Sequence, residues 1–367
     1  MRRSSYYLMI GWICWLLPHR LFSQGTEKPP GWYEEISLNA FVSSSYSYNF
    51  NKPETMENWY RVFDRDDNTM KLDVVELSIS RKAVNPGDAG FRADIMAGSS
   101  IPRLTKASGL DIGDLDLPQV FVTYIAPLGN GLRLVAGKFV TSMGYEVIES
   151  YDGHNDNYSH SFLFGYAIPF THTGVKASYS FSSFVSGMFM LVNGWDNAVD
   201  NNAAKSVCAQ IGIVPLDGMN LNVNYMAGAE KWKNTSDKRA VLDIVGTYRI
   251  NSLVTAGMNF DYGTEEHSTF SGNTAEWVGA AGYLRLNVTE NASLSIRAEM
   301  FNDRDGFRTG TEQQLQEITF TPEYRPITHL VVRGDLRFDK SDKDVFQKEN
   351  VLTQDQTTVG VNLLYVY

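Results

Sequence analysis

Thr357-Thr358-Val359-Gly360-Val361-Asn362-Leu363-Leu364-Tyr365-Val366-Tyr367 alternates in character along its length. Successive side chains of a strand point to opposite faces, so Val359, Val361, Leu363, Tyr365 and Tyr367 share one face while Thr358, Gly360 and Asn362 share the other. One face is apolar and the other is small or polar. The same period returns at Val175, Ala177, Tyr179 and Phe181 against Gly174, Lys176, Ser178 and Ser180. It returns at Leu221, Val223, Tyr225 and Ala227 against Asn220, Asn222 and Asn224, and at Ile318, Phe320 and Tyr324 against Glu317, Thr319, Glu323 and Arg325. A two-residue period with no sustained helical period makes the chain all-β.

Working outward, strands are expected near 36–50, 70–83, 91–100, 118–127, 132–143, 172–182, 184–196, 206–215, 220–232, 239–250, 253–265, 275–288, 292–303, 314–325, 328–340 and 357–367, about sixteen in all. Links after even strands are short: 85–90, 129–131, 251–252, 289–291 and 326–327. Links after most odd strands are long and polar, as at 52–69, 101–117, 197–205 and 341–356. Alternation alone fits a soluble β-sandwich as well, because both architectures half-bury every strand. A sandwich, however, would have to bury the polar faces. Short turns at one rim, long loops at the other and strands of ten or more residues predict a transmembrane antiparallel β-barrel, with short periplasmic turns and long extracellular loops.

Composition agrees. Charged residues are 20%, aromatics 13% and the formal net charge is -10, which disfavours disorder and lacks the basic footprint of a nucleic-acid surface. Arg2 and Arg3 ahead of an apolar run from Tyr6 to Leu17 predict a signal peptide over 1–23, followed by a short periplasmic segment 24–35 and a barrel over 36–367. Losing Arg2, Arg3 and Arg20 leaves the exported chain still more acidic. Cys14 is expected to leave with the leader, so Cys208 stands alone as an inward, inert small residue. Tyr46, Tyr48, Trp195, Trp232, Tyr248, Tyr262, Trp277, Tyr324, Tyr365 and Tyr367 fall near strand ends, where barrels place aromatic girdles at the lipid–water boundaries. The aromatic at Tyr367 resembles the assembly signal of outer-membrane barrels generally.

Strand parity then assigns the lumen. Arg92 and Asp94, Asp243, Thr247 and Arg249, Asn259 and Asp261, Arg285, Arg297 and Glu299, Glu317, Glu323 and Arg325, and Arg333, Asp335 and Arg337 are expected to point inward. Interleaved signs suit salt-bridge ladders that stiffen the wall, and some of these groups would set the field of a water-filled channel. The link 144–170 is too long for a hairpin and carries Glu146, Glu149, Asp152, His154, Asp156 and His160 beside Phe162-Leu163-Phe164. Long loops with apolar content pack and are often functional. It is the third long loop, and in general porins of sixteen strands that loop folds into the barrel; its acids would then face inward arginines such as Arg92 across the narrowest point. The alternative is a loop flattened on the outer rim.

The run Asn155-Asp156-Asn157-Tyr158-Ser159-His160-Ser161, then Phe162-Leu163-Phe164, then Pro169-Phe170-Thr171-His172-Thr173-Gly174-Val175, resembles the central signature of the OmpL-like group of β-barrel porins. Asn193-Gly194-Trp195-Asp196-Asn197 fits it too. That family commonly carries an arginine after the Tyr-Ser pair; His160 stands there in this chain, so no charge carries over at that position. The resemblance implies a pore in the outer membrane of a Gram-negative bacterium, with the solute undefined.

Covalent chemistry finds little support. His154 and His160 with Ser159, Ser161 and Asp156 hold the residue types of a barrel hydrolase or a metal site, but a triad is defined by geometry, and two histidines without a third fixed ligand make a weak metal set. No phosphate loop, paired-cysteine zinc spacing or nucleophile elbow occurs. No enzyme activity, cofactor or metal is expected. The expected function is an outer-membrane channel for passive diffusion of small polar solutes or ions. Its partners would be outer-membrane lipid and the solute, with a homotrimer left open. The alternative is a surface-exposed adhesion or receptor barrel without an open pore.

Overall fold

In the computed structural model, residues 35–101 and 115–367 are described. The expected signal peptide, with Cys14, and all but the last residue of the expected segment 24–35 lie outside them. Ile36–Tyr367 form one unit. Its wall is made of β1 (Ile36–Asn49), β2 (Thr69–Arg81), β3 (Ala89–Ala97), β4 (Val120–Ala126), β5 (Leu132–Val140), β6 (Thr171–Ser180), β7 (Val185–Val192) and β8 (Ser206–Ile213). It continues with β9 (Met219–Ala229), β10 (Lys238–Arg249), β11 (Val254–Glu265), β12 (Ala275–Asn287), β13 (Ala292–Asp303), β14 (Gln313–Ile327), β15 (Leu330–Ser341) and β16 (Asp355–Val366). Each strand pairs antiparallel with its sequence neighbours. β1 closes the cylinder on β16 in a register running from Phe41↔Val366 to Asn49↔Thr358. Closure removes the free edges that an open sheet would expose in lipid.

Burial is inverted relative to a water-soluble protein. On β16, Val359, Val361, Leu363 and Tyr365 are exposed while Thr358, Gly360 and Asn362 are buried. On β2, Leu72, Leu77 and Ile79 face out and Asp73, Glu76, Ser78 and Ser80 face in. Apolar side chains reach lipid without cost, whereas the inward polar groups find hydrogen-bond partners, such as Asn362 Nδ2 donating to Ser43 Oγ at 2.9 Å. No helix among the described residues is long and apolar enough to cross a membrane. Crossing is the work of the strands.

Three local expectations need correction. β4 begins at Val120 where 118 was expected, and the expected link 101–117 holds a separate two-residue strand, Leu115–Asp116, that pairs with the far end of β3. Trp195 and Trp277 are buried inside, not in a girdle: their rings meet edge to face at 6.3 Å, and the Arg308 guanidinium lies 5.1 Å and 5.3 Å from their centroids. Finally, the inner face is not polar all round. Met188, Met190 and Val192 of β7, Cys208 of β8 and Met226 of β9 point inward and are buried with Met143, Phe162, Leu163 and Ile168 in one apolar cluster.

Candidate functional site

Between β5 and β6 the chain leaves the wall for residues 141–170, here termed L3. Its polar groups are satisfied by the inner faces of strands on both sides of the barrel. Four acids meet four wall arginines. Glu146 accepts from Arg297 Nη1 at 2.7 Å, Glu149 from Arg333 Nη2 at 3.2 Å and Asp156 from Arg285 Nη1 at 2.5 Å. Asp152 takes both terminal nitrogens of Arg92, the longer contact being 3.2 Å. The arginines stand on β13, β15, β12 and β3, so L3 is tied across the interior. For the two buried pairs, Glu146 with Arg297 and Glu149 with Arg333, breaking one partner typically costs ~3–5 kcal/mol, because the other charge is left without compensation.

Backbone groups of L3 are held as well. The amides of Gly144 and Tyr145 donate to Asp243 and Asn259 of β10 and β11 at 3.0 Å and 3.1 Å. Tyr151 N donates to Glu76 of β2 at 2.8 Å, and Ser159 N to Asp335 of β15 at 2.8 Å. Glu299 of β13 accepts from Phe162 N at 2.5 Å and Leu163 N at 3.1 Å, at the start of the π-helical turn Leu163–Ala167. Arg297 and Arg337 return the favour by donating to the carbonyls of Ser159 and His160 at 2.6 Å each. Glu317 lies between these two guanidiniums, 2.7 Å from Arg297 Nε and 3.6 Å from Arg337 Nε. Asp94 is fully buried, with Arg92 Nε at 2.8 Å and Gln119 Nε2 at 3.0 Å.

Arg249 departs from this pattern. It ends β10 at the short-turn rim with its side chain exposed, because parity sets the face of a strand residue but not its depth.

Glycines in mid-strand make the seats. At inward positions of β11, β12 and β16, a β-carbon on Gly257 would collide with Tyr145, one on Gly279 would stand 2.7 Å from Leu163 Cδ1, and one on Gly360 would stand 3.3 Å from Tyr158 Cδ1. Only a residue without a side chain lets L3 lie this close to the wall. Tyr145 also stacks on Tyr283, their centroids 3.9 Å apart, and Tyr158 Oη donates to Ser45 Oγ at 2.6 Å.

A second segment enters that sequence reading treated only as a polar link. In the loop 50–68, Arg61 is buried between Asp64 and Asp339, 2.5 Å from the latter, and Phe63 lies on the His160 ring with centroids 4.3 Å apart. The signal was the run Trp59-Tyr60-Arg61-Val62-Phe63, out of place in a solvated loop.

Electrostatics favour the ionised acids of L3. Burial raises Asp152 and Glu149, but Arg92 and Arg333 respectively outweigh it and hold both below the usual carboxylate range. Burial and nearby Arg333 hold His154 below the ordinary histidine value. His160 Nε2 lies 3.0 Å from Asn155 Nδ2 and 3.3 Å from the Val147 carbonyl, while Ser161 Oγ accepts from Phe164 N at 3.0 Å. Both side chains are engaged within L3 itself rather than arranged as nucleophile and base.

Cavities remain beside L3. One of about 310 Å³ lies against β3 and the start of β5–β6 link, lined by Arg92, Asp94, Met96, Met143, Ile148 and Asp152 among others. Another, about 280 Å³, is bounded by Tyr145, His154, Asp156, Val245, Thr247 and Tyr283.

Comparison with known proteins agrees with this architecture. The chain is similar in structure to the anion-selective porin from Comamonas acidovorans, at 9% identity and a TM-score of 0.61, over 90% of this chain and 99% of that one. It is similar to the outer membrane channel DcaP of Acinetobacter baumannii, at 10% identity and 0.59, over 90% and 97%. The third, OprB of Pseudomonas putida, gives 10% identity and 0.60 over 91% and 94%. At these identities the likeness is one of fold. No curated protein matches the chain. The profile of the family described as "Putative beta-barrel porin-2, OmpL-like" matches residues 35–366. From first strand to last, then, this closed sixteen-stranded barrel belongs to the OmpL-like beta-barrel porin family of the bacterial outer membrane.

Proposed function

We propose that the barrel is a passive diffusion channel for small polar solutes or ions, narrowed by L3 and by the loop 50–68, and that it carries out no covalent chemistry. The observation that carries this reading is the set of four acid–arginine pairs that fix L3 to strands around the wall while leaving cavities beside it. A loop held so firmly defines a constant aperture, and charged groups lining an aperture select permeants by sign and size. Arg92, Asp94, Glu146, Glu149, Asp152, Asp156, His160, Asp243, Arg285, Arg297, Glu299, Glu317, Arg333, Asp335 and Arg337 form or brace the constriction; Arg249 belongs to the short-turn vestibule. We also take residues 1–23 as a signal peptide and 24–35 as periplasmic.

The test is reconstitution of the folded protein in planar bilayers, where discrete conductance steps are expected. Their absence in correctly folded protein counts against the channel. A second reading, a receptor barrel with a closed lumen, draws on the fully exposed Phe270 and the exposed Trp232 at the long-loop rim. It predicts silence in that recording together with surface binding. A homotrimer would be seen as three times the protomer mass in detergent.

A further inference from the structure

The larger-bore question of what passes turns on Arg92, the cation that faces the cavity beside β3. Its guanidinium is already surrounded. Nε lies 2.8 Å from Asp94, Nη1 and Nη2 bind Asp152, and Nη2 is 3.8 Å from Glu76, whose other oxygen accepts from Tyr151 N. The Tyr151 ring covers the guanidinium at 4.8 Å. One positive charge is therefore shared by three carboxylates, and every nitrogen of Arg92 already faces one of them. The other charged groups nearby are internally balanced: Glu146 is held by Arg297 and Lys138 lies 3.2 Å from Asp116. Asp94 is sealed beneath, but the Asp152 side chain is 46% exposed and lines the cavity. Beside polar groups such as Gln119, Ser142 and Ser150, the lining carries an apolar side made by Met96, Met143, Ile148 and Phe170.

We propose that this cavity selects small organic cations with an apolar body, the charged end passing Asp152 and the body passing the methionine, isoleucine and phenylalanine side. The proposal rests on the channel reading above. Softness suits it, since methionine adapts its shape to an irregular apolar body. An anion of the same size meets surplus negative charge.

The test uses the full-length protein in planar bilayers under equal gradients of potassium chloride, propyltrimethylammonium chloride and potassium propanesulfonate, two organic ions of matched body and opposite, permanent charge. Zero-current potentials are expected to show propyltrimethylammonium favoured over propanesulfonate by at least about fivefold, the effect of one carboxylate at contact distance in water-like surroundings. Asp152→Asn removes the exposed carboxylate and frees Arg92, so the ratio should fall to about one or reverse. Asp237→Asn, at the long-loop rim, should leave it unchanged. Equal passage of both organic ions, or preference for the sulfonate, in a conducting wild-type channel overturns the inference and spares the channel. A selective wild type with an unaltered Asp152→Asn ratio also overturns it. Failure to conduct any of the three salts removes the channel reading and the inference together.

Discussion

Gly257→Ala adds one methyl group to the inner wall and should move L3. The added β-carbon would collide with Tyr145 Cε2 and stand 2.6 Å from Cζ, whereas ordinary contact begins at 3.4 Å, so the ring has to retreat by about 1 Å. Retreat is opposed by the stacked Tyr283 and by the amide of Tyr145 itself, which donates to Asn259 at 3.1 Å, two residues along the same strand. The neighbouring amide of Gly144 is bound to Asp243 at 3.0 Å. Overpacking a filled site costs ~1–3 kcal/mol, and a hydrogen bond to a charged group is worth ~1.5–3 kcal/mol. Either the ring yields or the start of L3 comes off β10, so a loss of about 2–4 kcal/mol is expected. Thermal unfolding of the detergent-folded barrel reads the stability, and single-channel recording reads the aperture, which should widen. Gly282→Ala is the matched control, because nothing stands within 4 Å of a β-carbon there and it carries the same change in backbone freedom. If Gly257→Ala and Gly282→Ala prove indistinguishable in both measurements, the seating of L3 by glycine notches is wrong.

Arg297→Met strands the buried Glu146 and leaves Glu317 with Arg337 alone, and should lower stability by ~3–5 kcal/mol in denaturant titration; a loss under ~1 kcal/mol would show that the pair does not anchor L3. Asp261→Asn should act the other way. Asp261 is fully buried directly opposite Asp243 with neither oxygen accepting a hydrogen bond, and an amide there can donate to Asp243 without two buried carboxyls having to share a proton, so a gain of ~1 kcal/mol in the same titration is expected. Acid should release L3 late. Asp152 and Glu149 are held below the usual carboxylate value, so their stabilising contribution is complete above the unfolded pKa of ~4 and is lost as pH falls through the lower folded values. Protection of L3 from an acid-active protease should therefore persist from pH 7 to about 4 and fail only below; release at pH 5 to 6 would refute the assignment.

The barrel was legible in the chain because two requirements of lipid act on every strand. Backbone groups must all pair, which fixes closure, and side chains must alternate between hydrocarbon and interior, which writes a period of two. That is why β1, expected over 36–50, is observed at Ile36–Asn49, and why charges expected inward, such as Asp94, Asp243, Arg297 and Arg333, are buried in the interior while Arg249 ends its strand at the exposed rim. Trp195 and Trp277 misled because position near a strand end and position in a girdle are separate properties: Trp277 has inward parity on β12, and Trp195 lies past the end of β7 in the loop that follows, where both pack on Arg308.

The partners of those charges were less legible, and for a physical reason. Alternation fixes the face of Arg297 or Arg333 but says nothing about a loop more than a hundred residues away in sequence, and the cross-strand ladder was the reading that needed no long-range contact. In the structure both kinds of pair coexist at one residue: Arg297 reaches Glu317 on the adjacent strand and Glu146 on L3. What could have decided between them is the small residue at an inward position. Gly257, Gly279 and Gly360 sit in mid-strand, where a glycine weakens the sheet and supplies nothing to a water-filled lumen. Such a position is tolerable where another segment fills the notch, as Tyr145, Leu163 and Tyr158 do here, so inward glycines on separate strands together with an aromatic-rich third loop are the combined signature of a loop seated inside its own barrel.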